Sequence, residues 1–139
     1  MNTDEAYQSS RVPAGEIAQR IARLQHHLQE QSLDGALLLD QLHMYYYTGT
    51  IQQGVVAVPA AGEPVFLVRR SLERARLETP LQQVIPLAGF SQLQPTLADL
   101  GLATDSLGVA EATLPVATFK TLAKAFPDTT FTDISSMLA

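Results

Sequence analysis

The sequence predicts a single α/β domain built around a mixed, mostly parallel β-sheet. Two observations carry this prediction: short apolar runs alternate with helical patterns, and two β-branched runs adjoin each other in a hairpin. Strands that alternate with helices are typical of parallel neighbours, whereas a hairpin adds an antiparallel strand. The 139 residues suffice for one domain with its own core. We expect a flexible leader over residues 1–12 and the domain over residues 13–139.

The first predicted element is a helix that begins after Pro13. Its apolar residues recur at four-, three- and four-residue steps and so share one face: Ile17, Ile21, Leu24 and Leu28. We expect Asp34-Gly35 to end this helix with a residue that tolerates left-handed dihedrals. The run GALLLD then predicts a buried central strand, because it is short and continuously apolar.

The middle of the chain predicts a hairpin, a short helix and an edge strand. GVVAVPAAGEPVFLV holds two apolar, β-branched runs around a turn. RRSLERARLE follows as a short helix with Leu72, Ala75 and, less well, Leu77 facing inward. In QQVIPLAG, Pro86 cannot donate a ladder hydrogen bond, so this strand is expected near an edge of the sheet.

The last part of the chain returns to strict alternation. SQLQPTLADLGL predicts a helix with Leu93, Leu97 and Leu100 on one side, and DSLGVAE predicts a buried strand. LPVATFKTLAKAFP predicts a helix that Pro115 opens and Pro127 ends. TTFTDI is the final strand.

Composition argues against several classes of partner. The formal net charge is −5, and nucleic-acid binding needs a basic face, so we expect no nucleic-acid partner. There is no cysteine, which excludes disulfides and thiolate metal sites. No apolar run is long enough to span a bilayer, and the first residues lack the apolar core of a secretory signal. These features predict a cytoplasmic protein without a membrane partner.

The search for catalytic chemistry yields no candidate. The histidines are His26, His27 and His43, and adjacent helical residues point about 100° apart, so the first two cannot hold one ion together. No metallopeptidase, nucleophile-elbow or phosphate-loop motif is present. The sequence therefore predicts no catalytic residue, no metal site and no cofactor in this chain.

One concentration of charge remains open to two interpretations. It consists of Arg69, Arg70, Arg74 and Arg76. Guanidinium groups could clamp an anion or carboxylate. The favoured interpretation is a solvated helix surface on which these arginines pair with Glu73 and Glu78.

Four stretches in fixed order resemble one known family. The run GALLLDQLHMYYYTGT is similar to a signature early in the creatinase, prolidase and aminopeptidase P group of metallopeptidases. GVVAVPAAGEPVFLVRRSLERA, SLGVAEATLPVATFKTLAKAFP and TTFTDISSMLA resemble its later segments. The resemblance covers nearly everything from Ile17 to Ala139. His43 and Tyr47 stand where the family often has Asn and Leu.

The resemblance implies a fold and a function. The fold is a ribonuclease H-like, three-layer N-terminal domain. In that family two Asp, one His and two Glu of a separate C-terminal domain hold two divalent ions, Mn, Co or Zn. The chain would thus be the non-catalytic domain of a metal-dependent Xaa-Pro peptidase, with its own catalytic domain and a second subunit as partners. Creatinase-type hydrolysis is the exception in the group and leaves the substrate open. The alternative is a free-standing α/β domain that binds a small molecule or peptide.

The resemblance also implies roles for the segment HMYYYTGT and its surroundings. In the family, N-terminal domains help to form dimers and can place side chains at the mouth of the partner subunit's active site. We assign an interface or substrate-mouth role to His43, Tyr45, Tyr47, Arg69 and Arg70. Tyr46 and Gly49 are assigned to the core and the turn. Three successive helical residues cannot all face one way, so Tyr46 should be more buried than at least one neighbouring tyrosine.

Overall fold

The computed structural model describes residues 12–138, which form five α-helices and six strands. In chain order these are α1 (Ala14–Glu30), β1 (Gly35–Leu38), α2 (Gln41–Thr48), β2 (Gly54–Pro59), β3 (Val65–Val68), α3 (Leu72–Glu78), β4 (Gln83–Pro86), α4 (Leu93–Asp99), β5 (Ser106–Val109), α5 (Val116–Ala125) and β6 (Thr130–Asp133). Single 3-10 turns lie at Phe90–Gln92 and Ser135–Met137. Apart from Val12, the predicted leader lies outside the described residues.

The six strands form one sheet in the order β4-β3-β2-β1-β5-β6. Strand β2 runs antiparallel to both of its neighbours, β1 and β3. The other three pairs, β1 with β5, β3 with β4 and β5 with β6, are parallel. This arrangement confirms the predicted mixed, mostly parallel sheet.

Helices cover both faces of the sheet and give it three layers. Alternate residues of each central strand point to opposite faces, so Leu38 and Val56 join one core cluster while Leu37 and Val55 join the other. The first cluster takes its helical residues from α1, α2 and α3, and the second takes them from α4 and α5. No helix within residues 12–138 combines the length and apolar content needed to cross a membrane.

Helix α1 confirms its predicted apolar face, because all four of the predicted residues are buried. The predicted helix end was wrong. The helix stops at Glu30, and Ser32 takes the left-handed conformation with φ of 57°. Gly35 instead opens β1, where an added Cβ would lie 2.8 Å from the carbonyl oxygen of Val58. The glycine is needed there for close strand approach.

Two further details of the core bear on the predictions. Strand β4, which contains Pro86, is an edge strand as predicted. Leu93 and Leu97 are buried, but Leu100 is exposed, contrary to its predicted place on the inward face. Leu100 is already the C-cap residue. It has therefore left the helical path that would have turned it inward.

Candidate functional site

Helix α2 lies at the end of the sheet where the carboxyl ends of β1, β3 and β5 meet, and we call this end the α2 edge. It begins at Asp40, whose carboxylate accepts a hydrogen bond from the backbone N–H of His43 at 3.1 Å. It ends at Gly49, which has φ of 81° and donates its N–H to the carbonyl of Tyr45 at 2.8 Å. A capping carboxylate at one end and a left-handed glycine at the other fix the length of this short helix.

The side chains of Asp40, His43 and Thr113 form one hydrogen-bonded group at this edge. Oδ1 of Asp40 lies 2.8 Å from Nδ1 of His43 and accepts from the hydroxyl of Thr113 at 3.1 Å. His43 is buried, and its ring orientation is set by the carboxylate. His43, which was expected at a surface, is therefore largely enclosed, because its ring is bonded to Asp40, whose carboxylate also contacts Thr113 in the chain after β5.

The pKa of Asp40 reflects this arrangement. Burial raises the pKa of the carboxyl group, but the hydrogen bonds from the side chain and backbone of His43, and from Thr113, outweigh burial and lower the pKa below its ordinary value. The ionised carboxylate is thus the form that the folded structure favours.

The three tyrosines of α2 point in different directions, as helix geometry requires. Tyr45 is 49% exposed and Tyr47 is 2% exposed, while Tyr46 is half-buried. The prediction that Tyr46 is more buried than one neighbour is confirmed. However, Tyr47, which we had expected at a surface, packs into the core, because α2 turns that position toward the sheet.

Tyr46 is held between α1 and its own helix. The guanidinium carbon of Arg20 lies 4.2 Å from the centre of the Tyr46 ring, and Arg20 donates to the Tyr46 carbonyl at 2.8 Å. The rings of Tyr46 and Tyr47 meet edge to face with their centres 4.9 Å apart. Tyr46 therefore connects α1 to the buried Tyr47 of α2, while its own side chain stays partly exposed.

Three large apolar side chains on this segment remain exposed. We call them the α2 patch: Leu42 at 68%, Tyr45 at 49% and Ile51 at 48% exposure. Leu42 and Tyr45 are three residues apart on α2 and so lie side by side. Large apolar groups concentrated on one short segment are typical of an interaction surface.

A partly buried hydrogen-bond network around Glu78 holds the segment that carries Ile51. The carboxylate of Glu78 accepts from the hydroxyl of Thr50 at 2.5 Å, from the amide of Gln52 at 3.3 Å and from Nε of Arg74 at 3.0 Å. Burial raises the pKa of Glu78, but Thr50, Arg74 and Gln52 together lower it below the ordinary value. The expectation that Glu78 is only a solvated helix carboxylate was wrong, because this side chain ties α3 to the turn after α2.

The four arginines divide into two pairs. Arg74 pairs with Glu78, and Arg76 donates from Nε and Nη2 to the carbonyl of Val84 at 3.2 and 2.9 Å. Both therefore have structural contacts, and the favoured salt-bridge interpretation is confirmed for Arg74. Arg69 and Arg70 are exposed directly after β3, and the backbone N–H of Arg69 donates to the carbonyl of Gln53 at 2.7 Å. These two arginines thus lie at the same sheet edge as the α2 patch.

The described residues do not fit a metal. Among residues 12–138, no three His, Asp or Glu side chains converge in a geometry that could hold an ion. His26 and His27 instead lie 3.5 and 3.3 Å from the carboxylate of Glu30. The α2 edge carries an exposed apolar patch, the hydrogen-bonded side chains of Asp40, His43 and Thr113, and the exposed Arg69 and Arg70.

The roles of two residues in this site, Thr113 and Glu78, were not predicted from the sequence. Thr113 is 73 residues away from its partner Asp40, and only the parallel pairing of β1 with β5, which brings their carboxyl ends together, could have indicated the contact. Glu78 was recognised as an acidic residue of a charged helix, but its link to Thr50 depends on how α3 packs. No local pattern encodes that packing.

A sequence model of the Creatinase/Prolidase N-terminal domain family matches residues 20–139. No curated protein matches the chain at a significant level.

Solved structures share the fold. An Xaa-Pro dipeptidase from Bacillus anthracis superposes with a TM-score of 0.75 at 23% identity, over 87% of this chain and 34% of that one. The chain thus spans about a third of that enzyme. The Creatinase/Prolidase N-terminal domain of an X-Pro dipeptidase from Streptococcus pyogenes gives 0.71 at 17% identity, over 85% and 95%. The N-terminal domain of the cytoplasmic peptidase PepQ from Mycobacterium tuberculosis gives 0.68 at 22%, over 86% and 95%. With its three-layer fold and the family match over most of its length, the chain belongs to the creatinase/prolidase N-terminal domain family.

Proposed function

We propose that this chain is the non-catalytic N-terminal domain of a metal-dependent Xaa-Pro peptidase. In this role it serves dimerisation and shapes the mouth of the partner's active site. The exposed α2 patch carries the proposal, because Leu42, Tyr45 and Ile51 offer apolar contact area that the described part of the chain does not cover. The names of the compared structures, which are Xaa-Pro dipeptidases, support the enzyme class.

The proposal assigns catalysis to a separate C-terminal domain with two divalent ions, Mn, Co or Zn. Two-metal hydrolysis requires both ions to be held where they can activate water and stabilise the transition state. The described residues offer no such set of ligands. The role of this domain is therefore recognition and assembly.

A hydrolysis assay tests the catalytic part of this proposal. We expect the purified 139-residue chain to release no proline from an Xaa-Pro dipeptide when Mn²⁺, Co²⁺ or Zn²⁺ is added. Turnover that depends on metal, scales with the amount of chain and survives repurification would show that the chain is itself an enzyme.

Sedimentation tests the assembly. We expect the chain to form dimers with a Kd on the order of micromolar, equivalent to about 8 kcal/mol, since the α2 patch is small. Leu42→Ser combined with Tyr45→Ser should weaken association at least tenfold. Leu100→Ser, which removes an exposed leucine elsewhere, serves as the matched control. A wild-type chain that stays monomeric at several hundred micromolar would overturn the dimer proposal, as would an equal loss with Leu100→Ser.

Arg69 and Arg70 are proposed to form the polar rim of this interface and to face the partner's active-site mouth. Arginine suits a rim because its planar group pairs with carboxylates at fixed geometry. His43 contributes to the same surface indirectly, because its ring is hydrogen-bonded to Asp40, the N-cap residue of α2. If the rim acts through charge, added salt should weaken dimers of the wild type more than dimers of Arg69→Gln/Arg70→Gln.

We also place the protein in the cytoplasm. The Mycobacterium tuberculosis relative, whose name includes cytoplasmic peptidase, supports this placement. Fractionation of cells that produce the protein tests it, since recovery outside the cytoplasmic fraction would contradict it.

A further inference from the structure

The two edge strands of the sheet, β4 and β6, differ in how far their outer backbone groups are protected. At the β4 edge, Pro86 lacks an N–H and the guanidinium of Arg76 covers the carbonyl of Val84. Such features stop an edge strand from pairing with another chain. Strand β6, at the opposite edge, consists of Thr130–Asp133 and contains no proline or basic residue.

The hydrogen-bond pattern of β6 leaves alternate backbone groups free. The N–H groups of Thr130 and Ile134 donate to carbonyls on the β5 side, each at 2.9 Å. Residues of a parallel strand alternate between its two neighbours. The N–H groups of Phe131 and Asp133 therefore point away from β5, toward an edge that no other described strand occupies.

An apolar groove of about 440 Å³ adjoins this edge. It is lined by Glu111, Leu114, Val116, Phe119, Lys120 and Ala123. Val116 is 70% exposed, and four of these residues recur along one side of α5. The ring of Phe119 lies 5.4 Å from that of Phe131 in β6, centre to centre. The groove thus begins beside the free strand edge.

From these features we infer that β6 and the α5 groove form a docking site for an extended, neutral peptide segment with apolar side chains at alternate positions. A free strand edge is matched only by an extended backbone, which supplies donors and acceptors at the same spacing. Alternate side chains of that segment then point toward α5 and enter the groove. Lys120 is basic, whereas Glu111 and Asp133 are acidic. A strongly charged segment of either sign would therefore meet a like charge, which favours a neutral segment. The inference does not depend on the α2 patch, which lies on a different helix.

Amide hydrogen exchange tests the strand pairing. The probe is the blocked peptide acetyl-Thr-Val-Thr-Val-Thr-amide, added to the ¹⁵N-labelled 139-residue chain. When the free peptide is at about ten times Kd, exchange of the Phe131 and Asp133 amides should slow about tenfold. The amide of Thr132, which already faces β5, should change little. Two further peptides, one N-methylated on the valines and one on the threonines, provide the control. Because only alternate N–H groups of a paired peptide face β6, methylation of one of the two sets must remove the hydrogen bonds to β6.

Substitution tests the groove. Val116→Ser should weaken peptide binding about three- to tenfold, because one apolar side chain no longer contributes buried area. Leu100→Ser, at an exposed leucine outside the groove, should leave binding unchanged. The inference fails if the peptide protects neither Phe131 nor Asp133, or if both methylated peptides bind as well as the parent. Protection without peptide that rises with protein concentration would instead identify a second copy of this chain as the occupant and overturn the peptide assignment.

Discussion

Tyr45 and Tyr47 show how the role of a residue depends on its direction from a short helix. They are two positions apart, yet the first is half exposed and the second is enclosed by the sheet. Both are aromatic and both follow a histidine, so composition cannot distinguish them. The burial of Tyr47 makes it a stability residue, and the exposure of Tyr45 makes it available for contacts with a partner.

Replacement of each ring by alanine should separate these roles. Tyr47→Ala should lower the free energy of unfolding by roughly 3–5 kcal/mol, because it leaves a cavity in a packed core. Tyr45→Ala should change it by less than about 0.5 kcal/mol. Urea unfolding of dilute, monomeric protein measures both. Equal losses for the two variants would mean that the whole run is core.

Asp40 should contribute to the pH dependence of stability. Its pKa is lower in the folded chain than the ordinary value of 3.8, so the unfolded chain binds the proton more tightly. The contribution of the carboxylate to stability is therefore complete above the unfolded pKa and is lost as the pH falls through the folded pKa.

The variant Asp40→Asn isolates this contribution. At pH 7 the free energy of unfolding of the wild type should exceed that of the variant by about 1.5–3 kcal/mol, the range for a hydrogen bond to a charged group. The difference should shrink below about pH 4 as the carboxylate is protonated. Urea unfolding between pH 7 and pH 2.5 follows this difference, and Asp128→Asn, at an exposed position in the turn after α5, is the control. A difference that stays constant into acid would contradict the assigned role.

At the scale of the element, the length and position of α2 are fixed by contacts at its two ends more than by contacts of its interior residues. Asp40 caps the first turn, and Gly49 closes the last with a left-handed conformation. The Glu78 network then holds the chain that continues into β2. The direction of the α2 patch is therefore set by contacts outside the patch itself.

Gly49→Ala should destabilise the chain by about 1–2 kcal/mol, because a side chain in the left-handed region meets its own backbone. A Cβ there would meet Val12 at 3.4 Å, which is ordinary contact and adds little. Gly15→Ala is the matched control, since nothing lies within 4 Å and the position is helical. It should stabilise by up to about 1 kcal/mol. Thermal unfolding of both variants gives the comparison, and a stabilising Gly49→Ala would refute the turn argument.

Elements with a strong internal pattern were predicted well. The face of α1 followed from its spacing, and the edge position of β4 followed from Pro86. The inward face of Leu100 and the left-handed end at Gly35 were wrong. Both errors lie at helix ends, where one residue more or less decides between helix and loop. Tyr47 was wrongly expected at a surface for a related reason. The eight residues of α2 contain too few apolar positions to show from the sequence which side of the helix faces the sheet.

At the scale of the whole molecule, both core clusters share the same sheet. Strands β1, β2 and β3 contribute side chains to each face, so neither layer of helices has a core of its own. The fold class followed from the alternation of elements. Of the three α2 side chains expected at a surface, His43, Tyr45 and Tyr47, only Tyr45 is exposed. The contacts of Asp40 with Thr113 and of Glu78 with Thr50 depend on tertiary packing and could not be predicted.

The shared sheet predicts that the isolated chain unfolds as one unit. Loss of either helical layer would expose one face of the same strands, so the two clusters should fail together. Far-ultraviolet circular dichroism and the near-ultraviolet tyrosine signal should give the same melting temperature. Two separate transitions would show that parts of the domain unfold independently and would contradict the single unit.

Strand β1 pairs with one neighbour that is close in sequence and with another that is far away. Its partner β2 follows after one short helix, whereas the N–H of Asp34 donates to the carbonyl of Ser106 at 2.8 Å, and the carboxylate of Asp34 accepts from the N–H of Ser106 at 3.0 Å across 72 positions. Hairpins form on the order of microseconds, while distant pairing must wait for a long loop to close. During refolding we therefore expect β1 to β3 to assemble first, and the arrival of β5 and β6 beside β1 to set the overall rate.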